Sequence, residues 1–272
     1  MTEKHLIALD LDGTLLKDDK TISDVNKRVI TRAREEGHVV MIATGRPFRS
    51  SEMYYHELGL DTPIINFNGA YIHHPLDQNW GVHHSPLSID VAKDIVDALD
   101  SFDFHNIIAE VIDDVYFHYH DEKLLDIFGM GNPEVTTGDL RKFLRTSPTS
   151  MLIHTDQKDL AKIRSHLSEV HAEVIDHRSW AAPWHVIEIV KYGLNKAVGL
   201  RKASEYFHIP PERIIAFGDE DNDLDMLEYA GRGIAMDNGI DVVKSIANET
   251  TLSNEKDGVG VYLNDALSLK AL

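Results

Sequence analysis

Leu6-Ile7-Ala8-Leu9 is an unbroken apolar run that stops on Asp10-Leu11-Asp12-Gly13-Thr14. Four apolar residues without alternation suit a strand buried on both faces, as in a parallel sheet covered by helices. Two carboxylates follow at i and i+2, positions that point the same way in extended backbone. Like charges on one face at the end of a buried strand repel unless something positive sits between them. Loops past the carboxyl ends of parallel strands are where open α/β sheets place their ligands. An Asp-rich turn with an Asp-Gly pair is also common at strand ends, so these residues alone leave an ordinary turn open.

The pattern continues in the same style. Val25, Val29, Ile30 and Ala33 recur at helical spacing, with Gly37 where the helix should stop. Val39 to Ala43 is a second apolar run, ending in Thr44-Gly45-Arg46. A helix is predicted from about Phe48 to Leu58, and a third strand from Pro63 to Phe67, before Asn68-Gly69. Strand and helix in alternation imply a parallel sheet with right-handed crossovers.

The texture changes near Gly81. An amphipathic helix over 88–102 is followed by a hairpin turning at Asp113-Asp114, a loop from Gly129 to Asp139, and a further strand and helix. The opening style returns near Val186, with a strand, a helix over 195–207 and the strand Ile214 to Phe217. The fold class expected is α/β, a Rossmann-like parallel-sheet core with an inserted α/β cap. Residues 1–82 and 187–272 would form the discontinuous core, and 83–186 the insert.

Charge limits the partners. Asp and Glu outnumber Lys and Arg to a formal net charge of −18, which disfavours nucleic-acid backbones and anionic membranes. A phosphate-bearing ligand must then meet a local positive site. Cysteine is absent, which excludes thiolate chemistry and disulfides. Met1-Thr2-Glu3-Lys4 does not read as a signal peptide, and no apolar run approaches the length of a membrane span. The expected address is the cytoplasm.

Three further stretches carry chemistry. Thr44-Gly45-Arg46 offers a hydroxyl and backbone N–H groups to an oxyanion, although any strand-to-helix turn can look like this. Lys196 opens a predicted helix and alone reads as a solvated lysine. Gly218-Asp219-Glu220-Asp221-Asn222-Asp223 follows an apolar strand. A helix dipole favours one or two acids at its start, but this density suggests oxygen ligands for a hard cation. Asp10, Asp12, Asp219 and Asp223 would share one sheet end, and such a group needs compensating charge, which Mg²⁺ and Lys196 can supply.

In this order, DxDGT, TGR, a lysine and GDxxND, the chain resembles the Cof-like phosphatases of the haloacid dehalogenase superfamily. The likeness spans the whole chain, including the position of the insert. Asn68-Gly69-Ala70 and Ile187-Glu188-Ile189 are similar to motifs at the family's insert boundaries. Ala235-Met236-Asp237-Asn238-Gly239 departs from the family's usual AMGNA, outside the chemical residues. The resemblance implies that Asp10 attacks phosphorus and that Asp12 is the general acid and base. It implies that the Asp10 and Asp219 carboxylates and the Asp12 backbone carbonyl hold Mg²⁺, with Asp223 in support. It further implies that Leu11 N–H, Thr44, Gly45, Lys196 and Asn222 hold the phosphoryl group.

The expected activity is Mg²⁺-dependent hydrolysis of a small phosphate monoester: a sugar phosphate, a nucleotide, or a cofactor precursor such as a riboflavin intermediate. A phosphomutase or phosphotransferase is the enzymatic alternative, and a phosphate-ester-binding regulator the non-catalytic one. The motifs see only the phosphate, so selectivity falls to the insert, with Phe117, His118, Trp180 and Trp184 as candidates to meet the leaving group.

Overall fold

The computed structural model describes residues 3–171, 175–180 and 185–272, with backbone alone for 171 and 175–180. The chain runs β1 (Leu6–Leu9), α1 (Asp24–Glu35), β2 (Val39–Ile42), α2 (Phe48–Glu57), β3 (Ile64–Asn66), β4 (Tyr71–His73) and β5 (Val82–His84). Next come α3 (Ile89–Leu99), β6 (Asn106–Val111), β7 (Asp114–Phe117), α4 (Glu122–Phe128), β8 (Val135–Thr137), α5 (Leu140–Phe143), β9 (Ser150–His154), α6 (Gln157–His171), β10 (Ile175–Trp180) and β11 (Val186–Lys191). The last third holds α7 (Lys196–Phe207), β12 (Ile214–Gly218), α8 (Leu224–Tyr229), β13 (Arg232–Ala235), α9 (Asp241–Ile246), β14 (Glu249–Thr250) and α10 (Gly258–Ala266). The chain groups into two compact units. Unit 1 is 1–46, 51–82 and 195–272; unit 2 is 47–50 and 83–194.

Unit 1 is built on a parallel sheet in the order β14-β13-β12-β1-β2. The chain starts in the middle at β1 and moves outward to β2. After the insert it returns on the other side of β1 as β12. The strand order therefore reverses between β1 and β12, the position where α/β sheets open a crevice at their carboxyl ends. All four residues of β1 are fully buried, as an unalternating apolar run requires. Leu6 and Ala8 pack with Met41, Leu200, Ala216 and Met226 in one cluster.

Unit 2 carries a six-stranded sheet in the order β10-β11-β9-β6-β7-β8. The predicted hairpin is present as β6 and β7, antiparallel, with Val111 opposite Asp114. Its period-2 pattern separates two cores: Ile107 and Ala109 pack with Ile153 and Ile187, while Ile108 packs with Phe117, Phe128 and Leu152.

Two elements differ from expectation. The stretch 129–139, read as loop, contains β8, which pairs parallel to β7. Its Val-Thr-Thr side chains are largely exposed, so it carries no apolar signature and exists through backbone pairing at a sheet edge. β11, read as the return of the core, lies instead in the unit 2 sheet, antiparallel to β9 and β10. A central antiparallel strand buried on both faces has the same continuous apolar look as a parallel one.

Candidate active site

The site lies at the carboxyl ends of β1 and β12. Leu9 pairs with Phe217 across these adjacent strands, so Asp10 and Asp219, each just past its strand, are brought to one place. Asp10, Asp219 and Asp223 are buried and offer carboxylate oxygens that all lie within 4.8 Å of one another. Lys196, fully buried as the first residue of α7, stands between two of them. Its Nζ donates to Asp10 Oδ1 at 2.6 Å and to Asp223 Oδ1 at 2.7 Å. The Asn195 side chain caps α7 by accepting from Val198 N at 3.1 Å, which fixes where Lys196 leaves the backbone.

The remaining carboxylate oxygens are held in place. Asp223 Oδ2 accepts from Asp219 N at 2.9 Å and Glu220 N at 3.2 Å. Asp219 Oδ1 accepts from Thr14 Oγ1 at 2.8 Å. The turn that brings Thr14 there depends on Gly13, whose φ is +74° and where a Cβ would lie 2.1 Å from Asp219 Oδ2. Asn238 Nδ2 donates to the Gly13 carbonyl at 2.7 Å and ties this turn to the loop after β13.

Three carboxylates against one ammonium leave an excess of negative charge in a buried pocket. Burial raises the Asp10 carboxyl well above its usual range; Lys196 opposes this, while Asp223 and Asp219 add to it. Burial and the Asp223 charge push Asp219 up to about 7. Burial disfavours the Lys196 ammonium, yet Asp10 and Asp223 outweigh it and hold its pKa above the ordinary lysine value. A proton or a cation must balance the cluster. An all-oxygen donor set of this charge fits a hard dication such as Mg²⁺, with Asp10, Asp219 and Asp223 as holders.

Asp12 stands apart from the cluster. Its Oδ2 accepts from Arg46 Nε at 2.6 Å, and its Oδ1 from Arg46 Nη2 at 2.7 Å and Lys20 Nζ at 2.8 Å. Burial alone would raise its pKa, but the two cations prevail and hold the carboxyl at about 2. The four carboxylates expected in one pocket are thus three, because Arg46 and Lys20 draw the Asp12 carboxylate away from the clustered oxygens; the metal role that the family resemblance implies for Asp12 is through its backbone carbonyl. Thr44 is buried, its hydroxyl accepting from Arg46 N at 3.1 Å. Asn222 Nδ2 donates to Asn68 Oδ1 at 3.0 Å, and the Asn68 amide lies against Gly45. Leu11 is buried between Asp10 and Asp12, its carbonyl accepting from Leu16 N at 2.8 Å.

The candidates in unit 2 fare differently. Phe117 is buried edge-on against Phe128. His118 is buried and accepts from Leu140 N through Nδ1 at 3.3 Å. Phe117 packs in a core cluster of unit 2 and His118 is hydrogen-bonded within that unit; an aromatic and histidine-rich hairpin is also what a small sheet uses to fill its core. The Trp180 side chain and Trp184 lie outside the described residues.

Sequence reasoning passed over Lys20, Arg46, Asn68 and Asn238 as individual site residues. Arg46, Asn68 and Asn238 sat inside noted motifs. Lys20 and Asn238 lie in loops whose approach to β1 only the fold creates.

The parallel sheet, with a carboxylate cluster and a buried lysine at its carboxyl ends, defines an α/β protein with a charged site at the strand ends. The haloacid dehalogenase-like hydrolase family matches residues 7–263, and the chain belongs to that family of enzymes. It is 62% identical to the 5-amino-6-(5-phospho-D-ribitylamino)uracil phosphatase YitU of Bacillus subtilis, over 98% of this chain and 99% of that one. YwtE, a phosphatase of the same name from that organism, is 32% identical over 96% of this chain and 98% of its own. Among solved structures, TM0651 from Thermotoga maritima superposes with a TM-score of 0.82 at 28% identity, covering 97% of each chain. Among the described residues, no helix is long and apolar enough to cross a membrane.

Proposed function

We propose that this chain is a Mg²⁺-dependent phosphatase that hydrolyses 5-amino-6-(5-phospho-D-ribitylamino)uracil, a small phosphate monoester, through an aspartyl-phosphate on Asp10. The buried group of Asp10, Asp219, Asp223 and Lys196 supports the chemistry. Full-length identity of 62% to YitU supports the substrate. In this reading unit 1 carries the chemistry, and unit 2, which includes β11, is the cap that supplies selectivity. The partner is a small phosphorylated metabolite, with no role for nucleic acid or membrane, in the cytoplasm.

Lys196 fixes the rotation of Asp10 through Oδ1 and leaves Oδ2 to attack phosphorus. The new Oδ2–P bond forms as the P–O bond to the ribityl oxygen breaks, and Asp12 delivers a proton to that leaving oxygen. A water then attacks phosphorus, Asp12 accepts its proton, the Oδ2–P bond breaks and inorganic phosphate departs. Lys196, Thr44, Gly45, Asn222 and Leu11 N–H hold the phosphoryl oxygens, because phosphoryl transfer depends mainly on positioning and charge stabilisation. Bound Mg²⁺ would neutralise charge on the phosphoryl oxygens and the carboxylates. The pairing of Asp12 with Arg46 and Lys20 keeps it ionised, the form needed to accept the water's proton. Its acid step requires it first to leave that pairing and take up a proton from solvent, which it then passes to the leaving oxygen; the proton it later accepts from the attacking water restores the protonated form for the next cycle.

Phosphate release from this ester, a hexose phosphate and a nucleoside monophosphate, each with Mg²⁺ and with chelator, tests the reading. The ribitylaminouracil ester should give the highest kcat/KM, and chelator should silence all three. Equal turnover in chelator overturns the metal assignment, and preference for another ester overturns the substrate.

A further inference from the structure

The turn at 67–69 carries strain that neither the sheet nor the chemistry above accounts for. Phe67, Asn68 and Gly69 have consecutive φ values of 49°, 52° and 98°. Left-handed backbone is uncommon outside glycine and an outlier for a bulky residue such as Phe, and such strain persists only where the surroundings enforce it.

Three loops of the site converge on this turn. Asn68 N donates to the Thr44 carbonyl at 3.1 Å, and Phe67 N to the Arg46 carbonyl at 3.3 Å. Asn66 Nδ2 donates to the same Arg46 carbonyl at 2.9 Å. Gly69 lies so close to α7 that a Cβ there would meet the Asn195 carbonyl at 2.3 Å, one residue before Lys196. Asn68 itself is buried, with its Oδ1 accepting from Asn222 Nδ2 at 3.0 Å.

We propose that Asn68 is a positioning residue that sets the sense of the Asn222 amide, so that Asn222 turns its second Nδ2 hydrogen toward a phosphoryl oxygen. An amide has a donor end and an acceptor end of similar shape. With an acceptor at Asn68, only the Nδ2 end of Asn222 fits that contact. Without it, the amide can rotate and bring its carbonyl oxygen to the anion, turning attraction into repulsion. The left-handed backbone at 67–69 is what brings Asn68 into reach of both Asn222 and the 44–46 loop. This inference rests on the assignment of Asn222 to the phosphoryl group made above.

A double-mutant cycle tests it with inorganic phosphate as the probe, read as competitive inhibition of the Mg²⁺-loaded enzyme, with melting temperatures alongside. Asn68→Gly keeps left-handed backbone accessible and removes only the amide; Asn68→Ser, too short to span the gap, replaces it if the glycine variant does not fold. Asn222→Ala should weaken phosphate inhibition roughly tenfold or more, as for the loss of a hydrogen bond to a charged group. Asn68→Gly should weaken it similarly, and the double variant should be no worse than Asn222→Ala. Inhibition unchanged in Asn68→Gly, whatever its melting temperature, overturns the inference, as do losses that multiply in the double variant. Inhibition unchanged in Asn222→Ala instead refutes the role given to Asn222, and the inference falls with it.

Discussion

Single side chains at the site divide into those that react and those that hold others in place, and substitution should separate them. Asp10→Asn removes the nucleophile, and turnover should vanish. The amide still accepts from Lys196 and takes one like charge from the pocket, so melting should shift by only a few degrees. A folded Asp10→Asn enzyme releasing phosphate at wild-type rate would disprove the covalent step. Asp12→Ala should cost roughly 10²–10⁴-fold in kcat, the usual range for losing a general acid–base; a loss under about threefold would place the proton elsewhere. Gly13→Ala acts without touching chemistry directly. Its Cβ would collide with the Asp219 carboxylate at 2.1 Å, at a φ of +74°. We expect a destabilisation of about 1–3 kcal/mol together with weakened Mg²⁺ dependence, read by melting and by a metal titration.

Elements place these residues, and helix caps offer a matched pair of tests. Asn195 caps α7 and Ser23 caps α1, the latter accepting from Asn26 N at 3.0 Å. Replacing either with Ala should cost about 1 kcal/mol, a few degrees of melting temperature. Only Asn195→Ala should also lower kcat, because α7 begins with Lys196, which bridges Asp10 and Asp223. Equal activity in the two variants would show that the cap does not govern the lysine. The elements also mark where sequence was readable. β1, β2 and β12 were plain in their apolar runs, since a fully buried parallel strand has no face to make polar. β8 had no pattern to read, and β11 had the right pattern for the wrong sheet.

The whole molecule answers to charge. A carboxyl whose folded pKa lies above its unfolded value opposes folding once pH passes the unfolded value, near 4. That opposition grows until pH reaches the folded pKa. For Asp219, pushed up to about 7, the metal-free protein therefore loses stability as pH climbs from about 4 to 7, and Asp10 acts in the same direction. A divalent cation competes with those protons. Mg²⁺ should thus raise the melting temperature more at pH 8 than at pH 6, measured by thermal shift against chelator. An equal rise at both values would mean that the cation binds away from these carboxylates.

The sequence by itself determined the buried strands, the four motifs at their ends and the family they resemble. Each of these is a local matter of apolar runs, turn residues and charge density, and each is written in consecutive residues. Tertiary structure alone decided which strands became neighbours. β12 lies beside β1 although an insert separates them in the chain, because the sheet buries both only when they pair. That pairing sets Asp10 beside Asp219 and brings Lys196 between Asp10 and Asp223. The pairing of β1 with β2 and the loop after β1 turn Asp12 to Arg46 and Lys20, and the loops after β3 and β12 bring Asn68 to Asn222. Apart from Asp12 and Lys20, these contacts join residues far apart in sequence through side-chain geometry, and no periodicity along the chain encodes them.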